Sequence, residues 1–337
     1  MCSLSEPRDE SAASGPGRNP DTEALIGSAL LGHAPQYNKA QVAAAAEVDL
    51  ARAERLWQAM GFAHVEDDAV VFTDADVQAL RMLVQLVSAD VITAEVETAV
   101  ARTLAQTMSR LAEWQVGIFK AVLGDRFAKD LDVTAQFAEA ITPVMEQLQG
   151  YVWRRHLAAT AARELTERGG DADERVQVIG FADLVGYTRL IRDFSEVELA
   201  GLIDEFEELA TGVVAENHGR IVKTVGDEVL FVTDTAPEAA EIALTLNEEI
   251  TGAGRLPPLR IGLAQGPVLA RFGDVYGSTV NIASRLTSVA RPASVLVDRE
   301  LSASLRGHPD YHLTSIGATK VQGFRGLHAW ALRRAHS

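Results

Sequence analysis

Residues Arg220-Ile-Val-Lys-Thr-Val-Gly-Asp-Glu-Val-Leu-Phe-Val-Thr233 decide how the second half of this chain folds. Two apolar runs, Arg220–Thr224 and Val229–Thr233, flank Gly226-Asp227, so the segment reads as a β-hairpin with an acidic tip. Working outward, Ala236–Ile250 follows as a helix, then Leu259–Ala264 and Pro267–Phe272 as two strands. Upstream, Val176–Ala182 reads as a strand, and Glu196–Asn217 as a helix that His218-Gly219 ends. Downstream lie a helix over Ser278–Val289 and a short strand over Val295–Val297. The order β-α-β-β-α-β with additions is the ferredoxin-like split arrangement, and the hairpin joins its second and third strands. The fold class expected is therefore α+β.

Ahead of this half the pattern is different. Residues 1–22 are rich in Ser, Glu, Asp, Gly and Pro and are expected to be a disordered tail. Residues 23–168 are mainly helical in pattern, with two long periodic stretches at 77–123 and 133–166. Glu167–Arg175 breaks the periodicity, and 169–175 is taken as the linker into the mixed domain at 176–337. At 337 residues the chain has room for roughly two domains.

Composition narrows the function. The formal charge of -16 argues against a general nucleic-acid surface, which needs clustered Lys and Arg. Residues 1–175 hold 16 basic and 27 acidic side chains, so the first half carries most of the excess. Cys2 is the single cysteine, which rules out an intramolecular disulfide. No run of about 18 apolar residues predicts a membrane span, and the first twenty residues lack the apolar core of a signal peptide. A cytoplasmic protein is expected.

The chemistry concentrates at a few positions. Gly273-Asp-Val-Tyr-Gly-Ser-Thr-Val-Asn-Ile-Ala-Ser-Arg285 places Asp274 on a turn before a helix, with Asn281 and Arg285 four apart on one face of it. Asp183 follows the first strand, and Asp227 sits on the hairpin tip, so the split fold sets the two acids at neighbouring strand ends. Paired carboxylates repel unless a cation lies between them, and oxygen-only ligands suit Mg²⁺ or Mn²⁺. Taken singly, each Asp also has an ordinary structural role as a cap or a turn residue. Leu184-Val185-Gly186-Tyr187-Thr188 opens a helix whose backbone N–H groups suit a phosphate. Lys223 precedes Asp227 on the same hairpin, where it can neutralise acids or donate to a base ring nitrogen.

Phe181–Thr188, Lys223–Phe231 and Phe272–Arg285 together resemble the class III nucleotidyl cyclase catalytic domain, over about 176–335. The resemblance implies that Asp183 and Asp227 hold two metal ions, Mg²⁺ or Mn²⁺. It implies that Lys223 and Asp274 read adenine, Asn281 orients the ribose, and Arg285 stabilises charge on the α-phosphate. It further implies ATP as substrate, 3′,5′-cyclic AMP and pyrophosphate as products, and a homodimer whose active sites are shared between chains. Residues 184–188 would cradle the β- and γ-phosphates. Many members carry a Lys-Gly near the C-terminus, and here Gln322-Gly323 stands there with Lys320 two residues earlier.

The N-terminal half carries two further resemblances. Asn38–Phe62 followed by Phe72–Leu80 is similar to a MerR-like helix-turn-helix. Its second helix, around Asp49–Met60, sets Arg52 and Arg55 beside Asp49 and Glu54 in an acidic neighbourhood, so protein packing is expected rather than DNA reading. The stretch also resembles the regulatory, autoinhibitory module of actinobacterial class III cyclases, with 133–166 as the connecting helix. His33, His64 and His156 are candidates for a pH input, against the ordinary expectation of solvent-facing histidines. The alternative function is a non-catalytic nucleotide-sensing regulator with a DNA-binding N-terminal domain.

Overall fold

The computed structural model describes residues 20–62, 64–166, 175–187, 192, 194–271, 273–321 and 324–335. The chain divides into two compact units, Met1–Thr166 and Glu167–Ser337.

The first unit is helical: α1 (Pro20–Leu31), α2 (Lys39–Ala45), α3 (Leu50–Ala59), α4 (Asp74–Ser88), α5 (Ala94–Leu123), α6 (Arg126–Lys129) and α7 (Leu131–Thr166). The tail expected over 1–22 is corrected at its end, because the first helix begins at Pro20; residues 1–19 lie outside the described residues. Asn38 starts α2 through a reciprocal capping box with Gln41, which satisfies two helix-end N–H groups at once. Buried Leu56 and Leu80 join α3 to α4, and Trp57 stacks on Phe72 at 4.6 Å between ring centroids. The periodic stretch 77–123 is two helices, not one. Asp90 takes a left-handed φ of 54° after the Ala89 cap, and the Val91 N–H donates to Leu86 O, which closes α4 as a glycine would.

The second unit contains β1 (Arg175–Leu184), α8 (Glu196–Glu216), β2 (Arg220–Val225), β3 (Glu228–Thr233), α9 (Ala236–Ala253), β4 (Leu259–Arg271), β5 (Asp274–Tyr276), α10 (Ser278–Val289), β6 (Ser294–Val297), α11 (Arg299–Ser304), β7 (Tyr311–Val321) and β8 (Phe324–Arg334). The sheet runs β2-β3-β1-β4-β6-β8-β7, with β5 added to β4. Its first four strands are antiparallel in the order of the split βαββαβ core.

Alternation along β1 assigns the two faces of the sheet. Val178, Ala182 and Leu184 turn to the side where Phe206 of α8 and Ile242 and Leu246 of α9 fill the main core. Ile179 and Phe181 turn to the other side, against Leu230, Ala264 and Ala283 of α10. Each fully buried Val, Leu, Ile or Phe among them contributes about 1.5–3 kcal/mol relative to leaving it in water.

One strand expectation is corrected. Leu259–Ala264 and Pro267–Phe272 are not two strands, because β4 is continuous over Leu259–Arg271. Pro267 is tolerated inside it because its nitrogen, like that of Gln265 two residues earlier, faces the side of β6, which pairs β4 only as far as Leu263. No helix among the described residues is long and apolar enough to cross a membrane.

Candidate active site

Sheet register brings the acids together. Asp183 lies opposite Glu228 of β3 on one side and Arg260 of β4 on the other. The hairpin tip is tied to the same strand end, because the Leu184 N–H donates to Asp227 O at 3.1 Å. Burial pushes the Asp183 carboxyl up to about 6, helped by the charge of Asp227 and a hydrogen bond with it, against the opposing charge of Arg260. Burial likewise raises Glu228 to about 7, with the charges of Asp183 and Asp227 adding to it. Arg260 lies close enough to matter electrostatically, yet its Nε is buried with no hydrogen-bond partner among the described residues.

A site that resists ionisation in this way calls for a positive charge. Among the described residues no three or more His, Cys, Asp or Glu converge as a ready cage. Two carboxylates without a full cage fit a hard divalent cation that takes its remaining oxygens from water and a polyphosphate. The donor set therefore fits Mg²⁺ or Mn²⁺ and is unlike a zinc site.

The segment after Asp183 is narrower as an anion cradle than its sequence suggests. The Leu184 N–H serves Asp227 O, and the Val185 N–H donates to Pro258 O at 2.9 Å. Leu184 is also buried in the main core. What is left of the expected cradle is Gly186, with φ 82°, and Tyr187. Thr188 lies outside the described residues, as do Gln322 and Gly323.

Lys223 and Asp274 meet across the sheet edge, Nζ to Oδ2 at 2.6 Å. Asp274 Oδ1 accepts from the Val275 N–H at 2.9 Å. Burial opposes ionisation of Asp274, but the Lys223 hydrogen bond, the Val275 N–H and the lysine charge outweigh it and hold the carboxyl below its ordinary value. The pair sets a cationic donor beside an anionic acceptor.

Asn281 and Arg285 face solvent on α10, while Thr279, Ala283, Leu286 and Thr287 face the sheet. Among the described residues no side chain engages the Arg285 guanidinium. The helix is seated by Thr279 Oγ1, which donates to Pro267 O at 2.8 Å, and by its approach to Gly262. A Cβ at Gly262 would stand 2.3 Å from the Thr287 nitrogen and 2.5 Å from the Ala283 oxygen. Glu228 and Arg260 were not among the residues singled out from sequence; register alone places them beside Asp183.

In the first unit the helix-turn-helix segment spends its cations on structure. Arg52 makes a two-pronged ion pair with buried Glu97, at 2.6 and 3.1 Å, and Lys39 pairs with Asp67 and Glu54. His33, His64 and His156 are all solvent-exposed.

Residues 172–334 match the family described as the Adenylate and Guanylate cyclase catalytic domain. An adenylate cyclase of Streptomyces coelicolor is 44% identical over 306 residues, covering 89% of this chain and 79% of that relative. One of Streptomyces griseus is 43% identical, covering 85% of this chain and 71% of the relative. One of Glutamicibacter nicotianae is 34% identical, covering 93% and 82%. The similarity thus runs through both units. The chain belongs to the class III adenylate cyclases, an enzyme family.

Proposed function

We propose that the chain converts ATP to 3′,5′-cyclic AMP and pyrophosphate, as a cytoplasmic homodimer whose first unit regulates the second. The observation that carries this reading is the acid cluster at the end of β1, where Asp183 resists ionisation beside Asp227 and Arg260 holds an unmet N–H. Two divalent cations bound by Asp183 and Asp227 would acidify the ribose 3′-hydroxyl and neutralise the triphosphate. Around that chemistry the side chains bind and orient. Lys223 donates to the acceptor nitrogen of adenine while Asp274 accepts from its exocyclic amine; guanine reverses that pattern. Asn281 holds the ribose. Arg285 offers a planar, permanent charge to the α-phosphate, where negative charge grows as the new ester bond forms. The backbone at Gly186-Tyr187 and the free Nε–H of Arg260 are donors for phosphate oxygens.

Asn281 and Arg285 stand on an exposed helix face, and exposed Val225, Leu269 and Tyr276 lie on the same unit. That apolar exposure supports a second copy covering the site, so that one chain supplies the carboxylates and its partner Asn281 and Arg285. DNA binding is not favoured, since Arg52 and Lys39 are already committed to carboxylates.

The test is formation of cyclic AMP from ATP with Mn²⁺ by the full chain, by an Asp183→Ala variant and by residues 170–337, across pH. Turnover by the full chain and loss in Asp183→Ala are expected. Turnover undiminished in that variant would overturn the site. Identical rates and pH profiles for the full chain and 170–337 would remove the regulatory role of the first unit.

A further inference from the structure

Helix α10 turns Asn281 and Arg285 outward and keeps two hydroxyls on its inner side. Thr279 and Thr287 are buried, two turns apart, with Ala283 between them on the same stripe. Each meets a glycine of β4. A Cβ at Gly266 would stand 2.7 Å from Thr279 Oγ1, and one at Gly262 would stand 2.5 Å from Thr287 Oγ1. From Thr279 to Thr287 the helix rises about 12 Å, and from Gly262 to Gly266 the strand rises about 13 Å, so the two spacings match. The helix rests on the strand at two points in register.

Both hydroxyls engage backbone carbonyls. Thr279 Oγ1 donates to Pro267 O of β4 at 2.8 Å. Thr287 Oγ1 lies 3.0 Å from Ala283 O of its own helix and 3.4 Å from Phe181 O of β1, two residues before Asp183. Valine has the same shape as threonine and would fill either space. What the hydroxyl adds is direction. Hydrophobic contact lets a helix slide or roll, whereas a hydrogen bond fixes a distance and an angle to one carbonyl. The start of α10 needs such a fix. Gly277 at its N-cap has no side chain to offer, and the Asn281 N–H reaches Gly277 O only at 3.5 Å. That is long against an ordinary N–H to O distance of about 2.9–3.0 Å.

We propose that Thr279 and Thr287 are positioning residues for the cyclase reaction, their hydroxyls fixing the slide and roll of α10 on the sheet; this rests on the proposed roles of Asn281 and Arg285. Thr279 aims Asn281 and Thr287 aims Arg285, each two residues inward along the helix and on nearly the opposite face.

Valine and serine variants of the full chain separate hydroxyl from methyl. Thr279→Val and Thr287→Val should each lower kcat for cyclic AMP formation about tenfold to a hundredfold, with KM for ATP within about twofold, because a displaced group loses most in the transition state. Thr279→Ser and Thr287→Ser keep the hydroxyl, so kcat should stay within about threefold of wild type while the melting temperature falls with the lost methyl. A double-mutant cycle adds a readout that mere packing would not move. In an Arg285→Ala chain, Thr287→Val should cost less than about a further twofold, because the group it aims is gone; Thr279→Val in an Asn281→Ala chain should behave alike. Gly266→Ala leaves Thr279 in place but presses a methyl on its hydroxyl, and should lower kcat even if Thr279→Val does not fold. Valine variants with a lowered melting temperature and wild-type kcat would overturn the positioning role. So would serine variants as slow as the valine ones, or fully additive losses in the cycle. Each of these outcomes leaves the reaction itself standing, whereas a wild type without turnover would overturn both.

Discussion

Asp183 is placed where its own charge lowers the stability of the fold. Its ordinary value is 3.8, and in the folded chain burial and Asp227 raise it to about 6. Below about pH 3 the carboxyl is protonated in folded and unfolded chains alike, and the shift has no effect. As pH rises towards 6 the unfolded chain ionises first, so stability falls, and the deficit is complete above pH 6. In chelator-containing buffer, Asp183→Asn should therefore stabilise the protein at pH 8 by about 1–2 kcal/mol, allowing for solvent screening of a half-buried group, and leave it nearly unchanged at about pH 3. Urea melts at the two pH values measure this. Adding Mn²⁺ at pH 8 should stabilise the wild type and not the variant. Arg285 acts at a different moment. Arg285→Ala should lower kcat about a hundredfold to a thousandfold with KM for ATP nearly unchanged, because its charge matters most as the transition state forms. Steady-state kinetics separate this from a binding role, in which KM would rise and kcat would hold. Lys223→Met should lower kcat/KM for ATP about tenfold to a hundredfold, since Asp274 loses its hydrogen-bonded ion partner and adenine loses a donor.

At the scale of elements, the position of Arg285 depends on how closely α10 lies on β4. Gly262 permits that approach, and two of the three atoms a Cβ would meet there are helix backbone, which yields less readily than a flexible side-chain tip. Gly262→Ala should lower stability by about 1–3 kcal/mol and lower kcat as well, by displacing Asn281 and Arg285 together. Gly252→Ala on α9, with nothing within 4 Å of the new methyl, should be neutral or slightly stabilising. Thermal melts and kinetics on both variants separate close packing from any general effect of adding a methyl. The elements that carry the site were legible in the sequence because local signals agreed: short apolar runs in β1 and β3, a Gly-Asp turn between β2 and β3, and a three-four pattern on α10. Strands β7 and β8 were not read, because irregularities between Ser315 and Gly317 and between Thr319 and Val321 break the two-residue alternation. Asp90 hid a helix end by doing the work of a glycine. The role of Arg260, and the use of the Leu184 and Val185 N–H groups within the fold, follow from register across strands, which no local pattern encodes.

At the scale of the whole molecule, the question is how many chains make one active site. If Asp183 and Asp227 of one copy face Asn281 and Arg285 of another, a two-fold dimer has two composite sites, each dependent on both chains. An Asp183→Ala homodimer lacks carboxylates at both sites, and an Arg285→Ala homodimer lacks the guanidinium at both. A mixed dimer concentrates both losses in one site and leaves the other complete. Equal amounts of the two chains, allowed to exchange, give mixed dimers as half of the population, so activity should recover to about a quarter of wild type. Recovery should scale with the fraction of mixed dimer as the mixing ratio is varied, a dependence that simple addition of residual activities would not show. If each chain instead held a complete site of its own, every chain in the mixture would carry one lesion in its only site. Two folded, dimerising variants that stayed inactive at all ratios would therefore return the whole reaction to a single chain.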